Sequence, residues 1–175
     1  MMERFEDMLT GGHPNSLGRT LEVVEAVLAQ PALLEELYQC YFSDDEIVRL
    51  RVSSAMKRVC IAHQDWMIPY LDRLIAEISQ INQASTQWTL ALLFGMLEPD
   101  MTPAQKQGAL KVMQSNLENG HDWIVLNNTM ATLTEWAKSD QTLRAWLLPH
   151  LERLSGDSRQ SVMARAKKFH KQLRK

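Results

Sequence analysis

The residues with the widest chemical reach in this chain are five histidines, two cysteines, five tryptophans and a few neighbouring acids. His13, His63, His121, His150 and His170 never stand at HxxxH spacing, and none pairs with a cysteine as a metal-ligand set requires. His63 with Asp65, and His121 beside Asp122, have the composition of an acid–base pair. Both fall at boundaries between apolar stretches, where Asp caps a helix by accepting backbone N–H bonds and His is ordinary near a helix end. Capping is therefore the expected role. Glu35 and Glu36 are adjacent, and adjacent residues on a helix point about 100° apart, which makes them poor partners for a two-carboxylate site. Cys40 and Cys60 are too far apart for a CxxC motif and read as small buried side chains in a reducing compartment. The stretch GGHPNSLG, residues 11–18, has three glycines but lacks the Lys-Ser/Thr pair that phosphate chemistry needs, so it reads as a loop. No catalytic residue, metal site or cofactor is assigned, and a non-enzymatic protein is expected. Trp66, Trp88, Trp123, Trp136 and Trp146 are open to two roles, stacking on nucleic-acid bases or filling joints between helices.

The elements that carry these residues are helical. Hydrophobic residues make up 45% and charged residues 23%, glycine and proline are few, and long β-branched alternation is missing, so an all-α chain of 175 residues with a real core is expected. In DDEIVRLRVSSAMKRV, residues 44–59, Asp44 or Asp45 opens a helix. Val48, Val52, Ala55, Met56 and Val59 then form its buried stripe, with Arg51, Lys57 and Arg58 off that stripe. Further helices are expected over 2–9, 17–28, 31–42, 65–79, 82–97, 103–118, 122–138, 141–154 and beyond 157. Pro31 and Pro103 are placed for a first turn, and Thr102 for a cap. WTLALLFGML, residues 88–97, is apolar nearly all round, as a helix enclosed by neighbours should be, and Gly95 there permits close helix approach.

A repeat links the elements. DWMIPYLDRL, residues 65–74, aligns with RAWLLPHLERL, residues 144–154. Trp66, Pro69, Leu71, Arg73 and Leu74 match Trp146, Pro149, Leu151, Arg153 and Leu154, an offset of 80 residues. The matched contexts of Trp66 and Trp146 favour packing for both indoles. Helix-opening residues near Asp45, Asn82, Asp122 and Asp157 are separated by 37, 40 and 35 residues. The 80-residue offset is then two periods of about 40, a length known for helical repeats. Pro69 and Pro149 are expected to kink their helices.

On these residues the chain resembles the HEAT repeat family. LLPHLERL is similar to the family's first helix, and Val48, Arg49, Val52, Ser53, Ala55 and Met56 occupy the places of its second. The resemblance covers roughly residues 31–173. It implies a right-handed α-α superhelix of about four to five helix pairs, each covering its neighbour's apolar face. Residues 1–30 would be capping helices, and 31–63, 64–98, 101–138 and 139–173 the repeats. It further implies that second helices line a concave face, which places Arg51, Arg58, Gln87, Asn128 and Arg165 in a row for a protein or peptide partner. DNA glycosylases for alkylated bases share this architecture, so a nucleic-acid binder using the inner arginines and the basic C-terminal helix is the alternative, with no catalytic Asp matched.

Charge is segregated. All 21 acidic residues lie at or before Asp157, so the first 158 residues, with 12 basic residues, carry a net −9, and the last 17 carry +7. The basic tail is either a solvated helix whose cations suit its own dipole or a contact for an acidic partner. The start of the chain has no apolar signal-peptide core and no run of about 18 apolar residues occurs, so a cytoplasmic protein without a membrane span is expected. Oligomeric state is not fixed by the sequence.

Overall fold

The computed structural model describes residues 2–175. Among them are eleven α-helices, several short 3-10 turns and no strand. By internal contacts the chain forms two compact units, Met1–Thr89 and Leu90–Lys175.

The first unit is built from α1 (Phe5–Leu9), α2 (Thr20–Ala29), α3 (Leu34–Gln39), α4 (Glu46–Ala62), α5 (Gln64–Met67), α6 (Leu71–Ala76) and the start of α7 (Ala84–Leu97). Of the two candidates, Asp45 caps α4: its carboxylate accepts from the Ile47 N–H at 2.8 Å, and the Thr10 hydroxyl donates to it at 3.0 Å. The expected stripe of α4 is fully buried, and α1, α2 and α3 pack on that helix.

The expected helices over 31–42 and 65–79 are each broken. The first runs as a 3-10 turn at Pro31–Leu33, then α3, then a 3-10 turn at Cys40–Phe42. In the second, a 3-10 turn at Ile68–Tyr70 separates α5 from α6, and another at Ile78–Gln80 ends it. Pro69 lies in the first of those turns, after only one turn of α5 and with no side-chain cap from His63 to hold it. A proline there removes a backbone bond from a helix with few to spare. The breaks are tied together by Glu35, whose carboxylate accepts from Arg73 at 2.8 and 3.0 Å, from Tyr70 Oη at 3.1 Å and from Gln39 at 2.8 Å. The Arg73 guanidinium lies 4.0 Å from the Tyr38 ring centroid.

The second unit comprises the rest of α7, then α8 (Pro103–Asn119), α9 (Trp123–Ala137), α10 (Gln141–Leu154) and α11 (Gln160–Leu173). These helices are unbroken. Thr102 and Gln105 form a reciprocal capping box on α8. Asp122 caps α9 through the N–H groups of Ile124 at 2.8 Å and Val125 at 3.1 Å, and Asp140 caps α10 through that of Leu143 at 2.9 Å. Pro149 sits inside α10, but two helical turns and a capped start precede it, and the helix continues to Leu154. The sequence match between Pro69 and Pro149 therefore does not extend to helix continuity. α9 packs against α8, α10 and α11. Gly95 provides the close approach expected of it: a Cβ there would stand 3.2 Å from the Thr132 hydroxyl, which itself donates to the Ala91 carbonyl at 2.8 Å.

Candidate partner-binding groove

Several of the candidate catalytic groups have structural contacts. His63 stacks on Trp66, with centroids 3.9 Å apart and planes 7° from parallel. Trp146 rests on His150 at 4.2 Å, so the matched tryptophans each find an imidazole, from three residues before in one case and four after in the other. Asp122 caps α9. Glu35 and Glu36 diverge as expected, Glu35 to Arg73 and Glu36 to the backbone N–H of Phe5 at 2.8 Å. Burial pushes the Cys40 thiol up to about 12 and that of Cys60 up to about 11, which leaves both protonated and poor nucleophiles at neutral pH. Among the described residues, no group of three or more His, Cys, Asp or Glu could hold a metal ion. Of the tryptophans, Trp136 is buried at 5% exposure, but Trp123 is 50% exposed and does not fill a joint.

Arg51 requires a correction. The sequence places it off the buried stripe and in the partner-binding row, yet it is only 2% exposed. Its guanidinium is caged by backbone carbonyls of the 9–16 segment. Nη1 donates to Leu9 at 2.7 Å, Thr10 at 3.3 Å and Gly11 at 2.6 Å; Nη2 donates to His13 at 3.4 Å; Nε donates to Ser16 at 3.3 Å. Five carbonyl dipoles thus replace water around a buried charge, the condition for burying one at tolerable cost. Gly18, at φ +51°, closes the cage, and a Cβ there would come within 2.8 Å of the guanidinium carbon. The glycine-rich stretch is a loop, as expected, and its role is to solvate an arginine.

By pinning this loop, Arg51 builds one wall of a cleft of about 190 Å³ in the first unit, lined by Pro14, Ser16, Leu17, Leu50, Ser54 and Trp88. Leu17 is 41% exposed. Along α4, Leu50, Ser54, Lys57 and Ile61 follow helical spacing on one face, and Ile61 is 65% exposed, so an apolar and cationic strip continues beyond the cleft. Lys57 Nζ lies 5.7 Å from the Trp88 ring centroid, and Arg58 Nε donates to Ser54 Oγ at 3.4 Å. Neither cation has a carboxylate within ion-pair distance among the described residues. A larger cleft in the second unit, about 460 Å³, is lined by Gly95, Glu98, Thr132, Glu135, Trp136 and Ser139. Its acids are already neutralised, Glu98 by Lys106 at 2.5 Å and Glu135 by Lys138 at 2.6 Å. The smaller cleft keeps unspent charge beside apolar surface and is the better candidate.

Of the remaining row, Arg58 borders this cleft and half-buried Gln87 precedes its Trp88 on α7. Half-buried Asn128 and exposed Arg165 lie on α9 and α11 of the second unit, which pack together and share a bond from Asn127 Nδ2 to Ser161 Oγ at 3.3 Å. Sequence reasoning missed Leu50, Leu17 and Lys57. The available signal was Leu50 and Ile61, two apolar residues on the polar side of an amphipathic helix.

Comparison with known protein families finds no matching model, and no curated protein matches the chain.

Proposed function

We propose that the chain is a non-enzymatic interaction adaptor, with HEAT-like helix pairs as its framework, that binds an extended peptide segment of a partner in the cleft between the 14–17 loop, α4 and Trp88. The reading rests on one observation: an apolar floor of Leu17, Leu50 and Trp88 beside two cations, Lys57 and Arg58, that have no carboxylate within ion-pair distance among the described residues. Such a surface suits a ligand with an apolar side chain next to Asp or Glu. Apolar burial supplies affinity, and the cations set register and reject basic segments. The loop wall is already fixed by Arg51, so little ordering cost falls on binding. The repeat architecture is supported by the 80-residue sequence match and by capped helices opening at Asp45 and Asp122. Selection from a random displayed-peptide library tests the reading. Enriched peptides should combine apolar and acidic residues, and Lys57→Glu/Arg58→Glu should weaken them at least tenfold with an unchanged thermal midpoint. Selection of no peptide, or affinities indifferent to the double reversal, would overturn it.

A further inference from the structure

A different surface, on the second unit, carries its own inference. Every arginine before α11 donates to a named acceptor. Arg4, Arg19, Arg73 and Arg159 pair with carboxylates. Arg49 and Arg58 donate to side-chain oxygens, Arg49 also to the Ser43 carbonyl, and Arg51 and Arg144 donate to backbone carbonyls. Arg153 faces the His150 ring. The cations of α11 and its end break this habit. Arg165, Lys167, Lys168, Lys171, Arg174 and Lys175 are all exposed, and none has an ion pair or side-chain hydrogen bond among the described residues. The helix dipole accounts for at most half of them. Its effect is confined to the last turn, and Arg165, Lys167 and Lys168 lie five or more residues before Leu173.

The buried residues Val162, Ala166 and Leu173 fix which side of α11 faces the core. At 100° per residue the six cations, the last two just past the end of the helix, cover roughly 180° of the opposite surface, over a length of about 15 Å. An acidic peptide strand would meet one edge of such a half-cylinder. Two rows of phosphates flanking a major groove, which is wide enough to admit a helix, meet both. The face carries no large exposed apolar side chain for membrane insertion, only the methyl group of Ala164. The helix's Phe169 falls by the same spacing toward the core side and is half-buried, with Lys168 Nζ 5.9 Å from the ring centroid, so no platform for unstacked bases is offered on the cationic face. We propose that the solvent half of α11 docks on the phosphate backbone of duplex nucleic acid, without reading its sequence.

The test is fluorescence anisotropy of the full chain with two unrelated 20-base-pair DNA duplexes across a salt series. Both duplexes should bind equally. If all six cations engage, affinity should fall roughly 10³-fold between 50 and 200 mM salt. Arg165→Gln/Lys168→Gln and, separately, Lys171→Gln/Lys175→Gln should each make the log–log salt slope shallower by about two, with unchanged circular dichroism melts. The proposal is overturned by absence of binding at 50 mM salt, by an unchanged slope in both variants, or by tighter binding to polyglutamate or anionic lipid vesicles than to duplex. The peptide cleft of the first unit can fail its test without touching this one, and the reverse.

Discussion

The two units spend their charge differently. In the first, interrupted helices are held by arginines turned inward or sideways: Arg51 into five carbonyls, Arg49 onto Gln83 at 2.7 Å and Ser43, Arg73 onto Glu35. In the second, unbroken helices are started by Thr102, Asp122 and Asp140, and most of the cations of α11 are left facing water. Guanidinium groups thus do in one unit what helix continuity does in the other. Where a segment is too short to hold itself together, a multidentate donor bridges the pieces.

The contrast is broken most severely at Arg51. Arg51→Ala strands buried carbonyls and should cost about 3 kcal/mol or more, read from urea unfolding midpoints. A loss below about 1 kcal/mol would mean that the cage contributes little. Gly18→Ala attacks the same cage from outside. It forces a positive φ on alanine and a methyl group onto the guanidinium, so a loss of about 1–3 kcal/mol is expected, with faster proteolysis in the 10–19 segment. In the second unit, Asp122→Ala removes a cap and should cost about 1 kcal/mol, with Asp122→Asn retaining most of it. The smallest effect belongs to Glu35. Its hydrogen bonds from Arg73 hold its carboxyl at about 2, below the usual 4.5. That stabilisation is complete above pH 4.5 and is lost as pH falls toward 2. The pair is well exposed, so the contribution is modest. The difference between the parent chain and Glu35→Gln in unfolding midpoint should therefore shrink over this window. A constant difference would exclude the ion pair as its source.

How much of this was legible in the sequence depended on whether local signals decided the outcome. The helices of the second unit were readable because caps, first-turn prolines and apolar spacing agreed at Thr102–Pro103 and Asp122. The breaks at Ile68–Tyr70 and Cys40–Phe42 were only partly so: Pro69 marked a disturbance in the first, but the contacts that bind the short pieces, Glu36 with Phe5 and Glu35 with Arg73, join residues 31 or more positions apart. Arg51 shows the limit most clearly. Nothing local separates it from Arg58, seven residues on, yet one is buried and the other borders the cleft. The decision is made by a loop some 40 residues earlier that turns its carbonyls inward. Of the proposed row, Arg58 stayed beside a cleft because it lies on the same side of α4 as Ser54.

The carbonyl cage ties the amino-terminal segment to the middle of α4. A chain begun at residue 20 would keep every residue of α4 and yet strip it of the buried side chains of Phe5 and Leu9 and of the carbonyls that hold Arg51. Domain boundaries drawn from the long helices alone would cut there, and the shortened protein should lose stability through both the missing peptide oxygens and the missing core side chains.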